Sequence, residues 1–210
     1  MKRSMIGLLI VLGLSALACG LLDTEMATVT YEEGIPVDFE IDANEICPPD
    51  MDCDEDSEPA PEDTDLEPIE FSLDIDIPDA TGNDNLRDIS SRLRSLEITS
   101  IDYDVSDNDL TFDLPDLEIF IAPHGTEDTD DDDAVHLTTI PSVAAGEQDA
   151  GRADVIEANR ESASEIFKEL DFAALPKAQA VIKEGQPLPP SGSADVELKI
   201  NIKITANPTD

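Results

Sequence analysis

The chain has 210 residues with 12 basic and 50 acidic side chains, a formal charge of −38 at pH 7. That balance excludes nucleic acid as a partner, because phosphate binding draws its affinity from clustered Lys and Arg, and it favours cations or basic proteins instead. The length allows one domain, or at most two, with a real core.

The chain opens with basic Lys2 and Arg3, an apolar run from Met5 to Leu14, and the small-residue stretch Ser15-Ala16-Leu17-Ala18. This is the pattern of a cleaved export signal over residues 1–18. The apolar run falls short of the roughly 20 residues a helix needs to cross a bilayer, which disfavours a permanent span. Ala16-Leu17-Ala18-Cys19-Gly20 resembles a bacterial lipobox. The resemblance implies a signal peptide cut just before Cys19, lipid on the Cys19 thiol, and acylation of its new amino group, with palmitate the acyl group expected. More than one acyl chain makes such anchoring stable, at about 0.8 kcal/mol per buried CH₂. The implied location is the cell envelope, and the outer membrane if the cell has two membranes, since no aspartate follows Cys19 directly. Ala16-x-Ala18 also fits an ordinary signal-peptidase site, and that alternative yields a soluble secreted protein.

With Lys2 and Arg3 removed, the 12 basic residues fall to 10 against 50 acidic ones, a formal charge of −40. Residues 19–26 make a lipidated terminus and a tether of at most about 23 Å, at roughly 3.3 Å per residue. The body therefore works close to its membrane, as a single β-rich domain over 27–210.

Val29 and Tyr31, then Ile35, Val37, Phe39 and Ile41, alternate with polar residues, predicting two strands that turn at Glu33-Gly34. Pro36 places the second at a sheet edge. Cys47 and Cys53 are predicted to form a disulfide, which persists outside the cytoplasm. The stretch 48–67 holds ten acidic residues, no basic one and four prolines, and reads as a disordered insertion. Phe71, Leu73, Ile75 and Ile77 predict a half-buried strand ended by Pro78. Asn83 or Asp84 is placed to cap a short helix with Leu86, Ile89 and Leu93 on one face. Arg87, Arg92 and Arg94 gather here and are expected to pair with the body's own carboxylates.

Leu96 and Ile98 keep one strand phase while Ile101, Tyr103 and Val105 keep the other, so a bulge or bend is expected near Thr99-Ser100. A second slip separates Phe112 and Leu114 from Leu117, Ile119 and Ile121. Asp107-Asn108-Asp109 has turn chemistry, predicting that these two stretches form a hairpin. Residues 126–133 are a second acidic loop, and 134–140 a strand. Val155, Ile156, Ala163, Ile166, Phe167 and Leu170 recur near a 3.6-residue period, predicting a helix over 153–170. Residues 172–183 read equally as helix or strand. Val196, Leu198, Ile200, Ile202 and Ile204 form the cleanest strand, whose Lys199 and Lys203 suit the acidic 71–77 strand as a neighbour. The sum is mainly β: an antiparallel β-sandwich or jelly-roll-like domain with one or two helices.

No constellation for catalysis emerges. Ser142 and Ser193 lack a nucleophile elbow with a histidine, and paired carboxylates carry no information among 50. His124 and His136 flank the second acid run and read as solvent-exposed. No cofactor is called for, although Asp50, Asp52, Asp54 and Asp56 at alternate positions make a weak calcium candidate lacking the glycine and closing glutamate of an EF-hand. The expected role is a lipid-anchored acidic module that binds a partner or serves structurally. A calcium-dependent adhesion module and an extracytoplasmic hydrolase are the alternatives.

Overall fold

The computed structural model describes residues 28–48, 51 and 57–207. The signal segment, Cys19, the tether to Met26, Cys53, and Asp50, Asp52, Asp54 and Asp56 lie outside them. In chain order the elements are β1 (Val29–Asp42), β2 (Glu58–Pro59), β3 (Thr64–Asp65), β4 (Ile69–Glu70), β5 (Leu73–Asp76), α1 (Ile77–Thr81) and α2 (Asn85–Ile89). There follow β6 (Leu93–Ser106), β7 (Leu117–Ala122), β8 (Val135–Ile140), β9 (Asp149–Ala153), α3 (Arg160–Phe167), β10 (Asp171–Ala178), β11 (Val181–Ile182), β12 (Pro187–Leu188) and β13 (Ser193–Ala206).

Two antiparallel sheets carry the fold. The first has the order β1-β13-β6-β9, and the second β4-β10-β7-β8, with β5 joining β4 along one side of β10. Ile35, Val37 and Ile41 of β1, Val196 to Ile204 of β13 and Leu96 to Val105 of β6 share one buried cluster with Leu117, Ile119 and Ile121 of β7 and Phe172 of β10. Inner faces of two sheets meeting in one core define a β-sandwich. β13 sits at the centre of its sheet because every even position from Ala194 to Ala206 is buried and every odd one is not. Period 2 commits one whole face of a strand to the core.

The bulge expected near Thr99 is present. Ser100 pairs with Asn201 and Ile98 with Ile202, so Thr99 is the extra residue, and both phases of β6 end up buried. β1, by contrast, is one strand of 14 residues rather than two. Tyr31, Glu33, Ile35, Val37 and Phe39 hold a single phase, so Glu33-Gly34 is a polar interruption of the pattern without a turn. Pro36 does lie on an edge strand.

The predicted hairpin between the 96–105 and 112–121 stretches does not form, since β6 and β7 belong to different sheets. After a left-handed turn at Asp107 (φ 44°), the chain crosses the sandwich. Asn108, buried, donates through Nδ2 to the carbonyls of Glu147 (2.7 Å) and Ala144 (3.3 Å). Leu110, Phe112 and Leu114 enter the core along the way, so the second phase slip marks a change of sheet. Lys199 and Lys203 do not face the 71–77 strand either. β13 is flanked by β1 and β6, and β5 pairs with β10.

Residues 57–67 of the predicted disordered insertion are ordered against 180–188. β2 pairs with β12 and β3 with β11, Ala60 and Leu66 are buried, and the Leu66 amide donates to the Ala180 carbonyl at 3.0 Å. A few apolar anchors and a backbone ladder outweigh the acidic composition there. The ambiguous 172–183 stretch contributes β10, with Pro176 in its middle. On one side of β10, Leu73 pairs with Ala174 and Glu70 with Lys177, so the proline falls where β5 gives way to β4 and the ladder is already interrupted.

The helices are short. Pro78 ends the strand by occupying the first turn of α1, where Asp76 caps the Asp79 amide at 2.9 Å and a missing N–H costs nothing. Asp84 sits at the start of α2 without a side-chain cap bond, and Leu93 belongs to β6. The helix predicted over 153–170 is cut to Arg160–Phe167, because Ala153 ends β9 and residues 157–159 form a 3-10 turn. α3 packs on β6 of one sheet and on β7, β8 and β10 of the other. Its Phe167 is fully buried edge-on to Phe172, with ring centroids 4.7 Å apart.

Candidate functional site on the outer face of the first sheet

Cross-strand register sets the outer face of the first sheet side by side across β1, β13 and β6. At one end Glu32, Lys203 and Glu97 stand in a row, and further along come Pro36, Lys199, Asp102 and, on β9, Arg152. Signs alternate in this half. In the other half Asp38, Glu197 and Asp104 stand directly across from one another, and Glu40 faces Asp195 in the next row. Side chains so placed have Cβ atoms about 4.5–5.5 Å apart, and like charges there are destabilising. This half is a five-carboxylate patch on rigid, hydrogen-bonded strands.

Between the rows of the balanced half is a depression of about 520 Å³ lined by Glu32, Gly34, Thr99, Asp102, Lys199 and Asn201, among others. The Asn201 amide donates to Asp102 Oδ2 at 2.8 Å and Ser100 Oγ at 3.0 Å, and Arg152 Nε donates to Asp102 Oδ1 at 3.2 Å. Those bonds, Arg152 first and then Asn201, hold the Asp102 carboxyl below its ordinary range. Gly34 has a steric reason: a Cβ there would lie 2.3 Å from Cε of Lys199, whose side chain lies across the glycine.

The second acid run is a strap over the outer face of the second sheet. Phe120, Ala122, Ala173 and Leu175 form a small apolar cluster there, with Ala134 packed on it. Lys177 anchors the strap by donating to Thr129 Oγ1 at 2.6 Å and pairing with Glu70 (3.5 Å) and Asp130 (3.6 Å). Ser72 donates to the Thr126 carbonyl, and the Gly125 amide to Asp74. His124 pairs with Asp74, with Nδ1 and Oδ1 3.4 Å apart. His136, expected in solvent, is half-buried and stacked on Phe120 at 4.7 Å.

Cys47 is disulfide-bonded, and its predicted partner Cys53 lies outside the described residues. Of the three arginines, Arg87 pairs with Asp76 and Asp79 as expected. Arg92 donates to the Asp88 carbonyl, and Arg94 Nε donates to the side-chain oxygen of Asn207. The carboxylate patch and the depression escaped sequence reasoning, because both arise from three strands whose partners lie far apart in sequence. The one local signal was Gly34, a glycine inside a strand pattern.

The architecture therefore defines a mainly β, antiparallel sandwich carrying three short α-helices among the described residues. No protein-family model matches the chain, and no curated protein does. Among solved structures, that of infectious bursal disease virus Gx strain is similar at 10% identity and a TM-score of 0.29, covering 87% of this chain. That of the Gt strain is similar at 8% identity and a TM-score of 0.27, covering 85%. The chain spans 37% and 35% of the length of those two chains.

Proposed function

We propose that the protein is a lipid-anchored binding module of the cell envelope that presents a rigid acidic sheet face to a basic partner. The lipobox-like Ala16-Leu17-Ala18-Cys19 supports the anchor, and the short tether keeps the sandwich beside its membrane. The observation that carries the binding role is the row Asp38, Glu197, Asp104 with Glu40 and Asp195 beside it. The β-ladder holds these like charges together at a cost to the free protein, and a basic surface or a cation bound across the row recovers it. Accepting such a cost at a recognition surface is the usual trade between stability and function.

Two measurements test the reading. Mass spectrometry of the mature amino terminus should find Cys19 carrying two or three acyl chains; a free thiol at a mature terminus would defeat the anchor. For the face, Glu197→Lys should weaken binding of an oligolysine peptide and stabilise the free protein by about 0.5–1 kcal/mol, by converting like-charge neighbours into opposite ones. Unchanged binding together with lowered stability would sink the basic-partner reading. Calcium competing with the peptide at micromolar concentration would move it toward a calcium-dependent module.

A further inference from the structure

β1 ends its sheet, and among the described residues no strand pairs with its outer edge. Asp42 pairs with Ser193, and one residue on the Ala43 amide donates to the Gly192 carbonyl at 3.0 Å. Bonds across an antiparallel ladder fall on every second residue, and the register of β1 against β13 runs without a shift from Val29 to Asp42. Ile35, Val37, Phe39 and Ile41 therefore bond to β13, whereas Pro36, Asp38 and Glu40 turn their backbone polar groups away from it. Pro36, with no N–H to give, falls in this outward set, as a proline on an edge strand should. Toward one end α1 packs against β1, and Asn83 donates to the Glu33 carboxylate. Toward the other, the Glu45 amide takes the Asp42 carbonyl at 3.0 Å, so Pro36 to Glu40 is the open stretch.

The core is also open beside this stretch. Phe39, Phe71, Leu73, Ile75 and Ala80 pack on the buried cluster yet are themselves only half-buried, and Phe39 meets Phe71 edge-on at 5.2 Å. A depression of about 430 Å³ lies here, lined by Pro36 to Asp38 of β1, Leu73 to Asp76 of β5, and Asp79 and Ala80 of α1. Asp38 and Glu40 are exposed on the outer face of β1, while Val37 and Phe39 point to the inner one. A strand added along this edge would continue the same alternation. Its residues opposite Asp38 and Glu40 would share the outer, acidic face, and those between them would turn toward the half-buried apolar side chains.

We propose that the edge of β1 from Pro36 to Glu40 receives an extended segment of a basic partner protein as an added antiparallel strand. Lys or Arg of that segment stands opposite Asp38 and Glu40, and its intervening apolar residues turn toward Phe39, Leu73 and Ile75. Charge selects this occupant. A second copy of the chain would bring its own Asp38 and Glu40 to the edge, and two bodies of formal charge −38 repel, whereas opposite charges directly across a ladder attract. The inference rests on the acidic-face reading, since Asp38 and Glu40 belong to that patch, and it adds where the partner lies and in what conformation.

The test is titration of the isotopically labelled full chain with a capped peptide of alternating lysine and valine, seven residues long at about 3.3 Å each, followed by amide exchange in NMR. Saturating peptide should slow exchange of the Asp38 and Glu40 amides at least about tenfold. In antiparallel addition the lysine amides face β1 and the valine amides face away. N-methylation of the lysine amides should therefore weaken binding at least about tenfold, and N-methylation of the valine amides should leave it unchanged. Asp38→Pro, which removes an outward N–H, should weaken the peptide more than Asp38→Asn, which removes only the charge. Equal binding of the lysine-methylated peptide would overturn strand addition while leaving the acidic face standing; failure of oligolysine to bind as well would remove both. Protection of Asp38 and Glu40 that rises with protein concentration in the absence of peptide would give the edge to a second copy and overturn the proposal. The methylated peptides are tested on the unaltered chain, so their result stands even if a variant misfolds.

Discussion

Replacing Phe172 by Ala tests whether α3 is an integral clamp between the two sheets. Phe172 lies on the inner face of β10, is fully buried, and meets Phe167 of α3 edge-on at 4.7 Å. Truncating a buried phenylalanine costs about 3–5 kcal/mol through lost transfer energy and the cavity left behind, and the edge-on pair accounts for about 0.5–1.5 of it. A domain of this size has about 5–15 kcal/mol in all, so roughly a third or more of the stability is at stake. At a urea slope of about 2 kcal/mol per molar, the midpoint should fall by roughly 2 M. Far-UV circular dichroism is the appropriate probe, because the chain has no tryptophan. Phe39→Ala supplies the control: its T-shaped partner Phe71 is 5.2 Å away, and Phe39 is only half-buried, so the loss should be about 2 kcal/mol or less. A Phe172→Ala loss below about 1 kcal/mol, or no larger than that of Phe39→Ala, would refute the clamp.

Stability should pass through a maximum on the acid side. Lowering the pH from 7 first relieves the self-repulsion of the −38 charge. Asp63, held low by the Glu184 amide and then Lys183, and Asp76, held low by the Asp79 amide and then Arg87, have folded values below their ordinary 3.8. Their contribution is present above 3.8 and is lost as the pH falls through the lower folded values. Thermal melts showing a monotonic rise down to pH 2 would contradict this. On the alkaline side, the hydrogen bond from Tyr103 to Asp149, 2.7 Å long, raises the Tyr103 phenol above its ordinary 10.0. The stability it gives is intact below pH 10 and lost as the pH rises through the raised value. Tyr103→Phe should flatten that alkaline loss and speed amide exchange in β9, whereas an unaltered alkaline limb would show that the bond contributes nothing. Lys177→Met should speed amide exchange across residues 126–134 while changing global stability by no more than about 1 kcal/mol, since its ion pairs are partly solvated; unchanged exchange would mean that the strap does not depend on Lys177.

Sequence alone determined the features that period and local sterics govern. The unbroken alternation from Val196 to Ile204 predicts a strand with one face committed to a core, and the phase reversal at Thr99 predicts a bulge, because period 2 leaves no other way to keep Leu96, Ile98, Ile101 and Tyr103 on one side. Pro36 at an edge and Pro78 at a strand's end followed from a missing N–H. Tertiary structure alone decided which strands meet. Asp107-Asn108-Asp109 is as good a turn for a sandwich crossing as for a hairpin, and the crossing is held by long-range contacts, among them the bonds from Asn108 to the 144–147 loop and the bridge between Leu114 and Val143. The ten acids of 48–67 likewise gave no hint that Ala60 and Leu66 would find a partner ladder more than 110 residues away. The charge pattern of the first sheet's outer face belongs to the same class. Asp38, Glu197 and Asp104 are unremarkable outward residues of three distant strands, and strand pairing makes them direct neighbours.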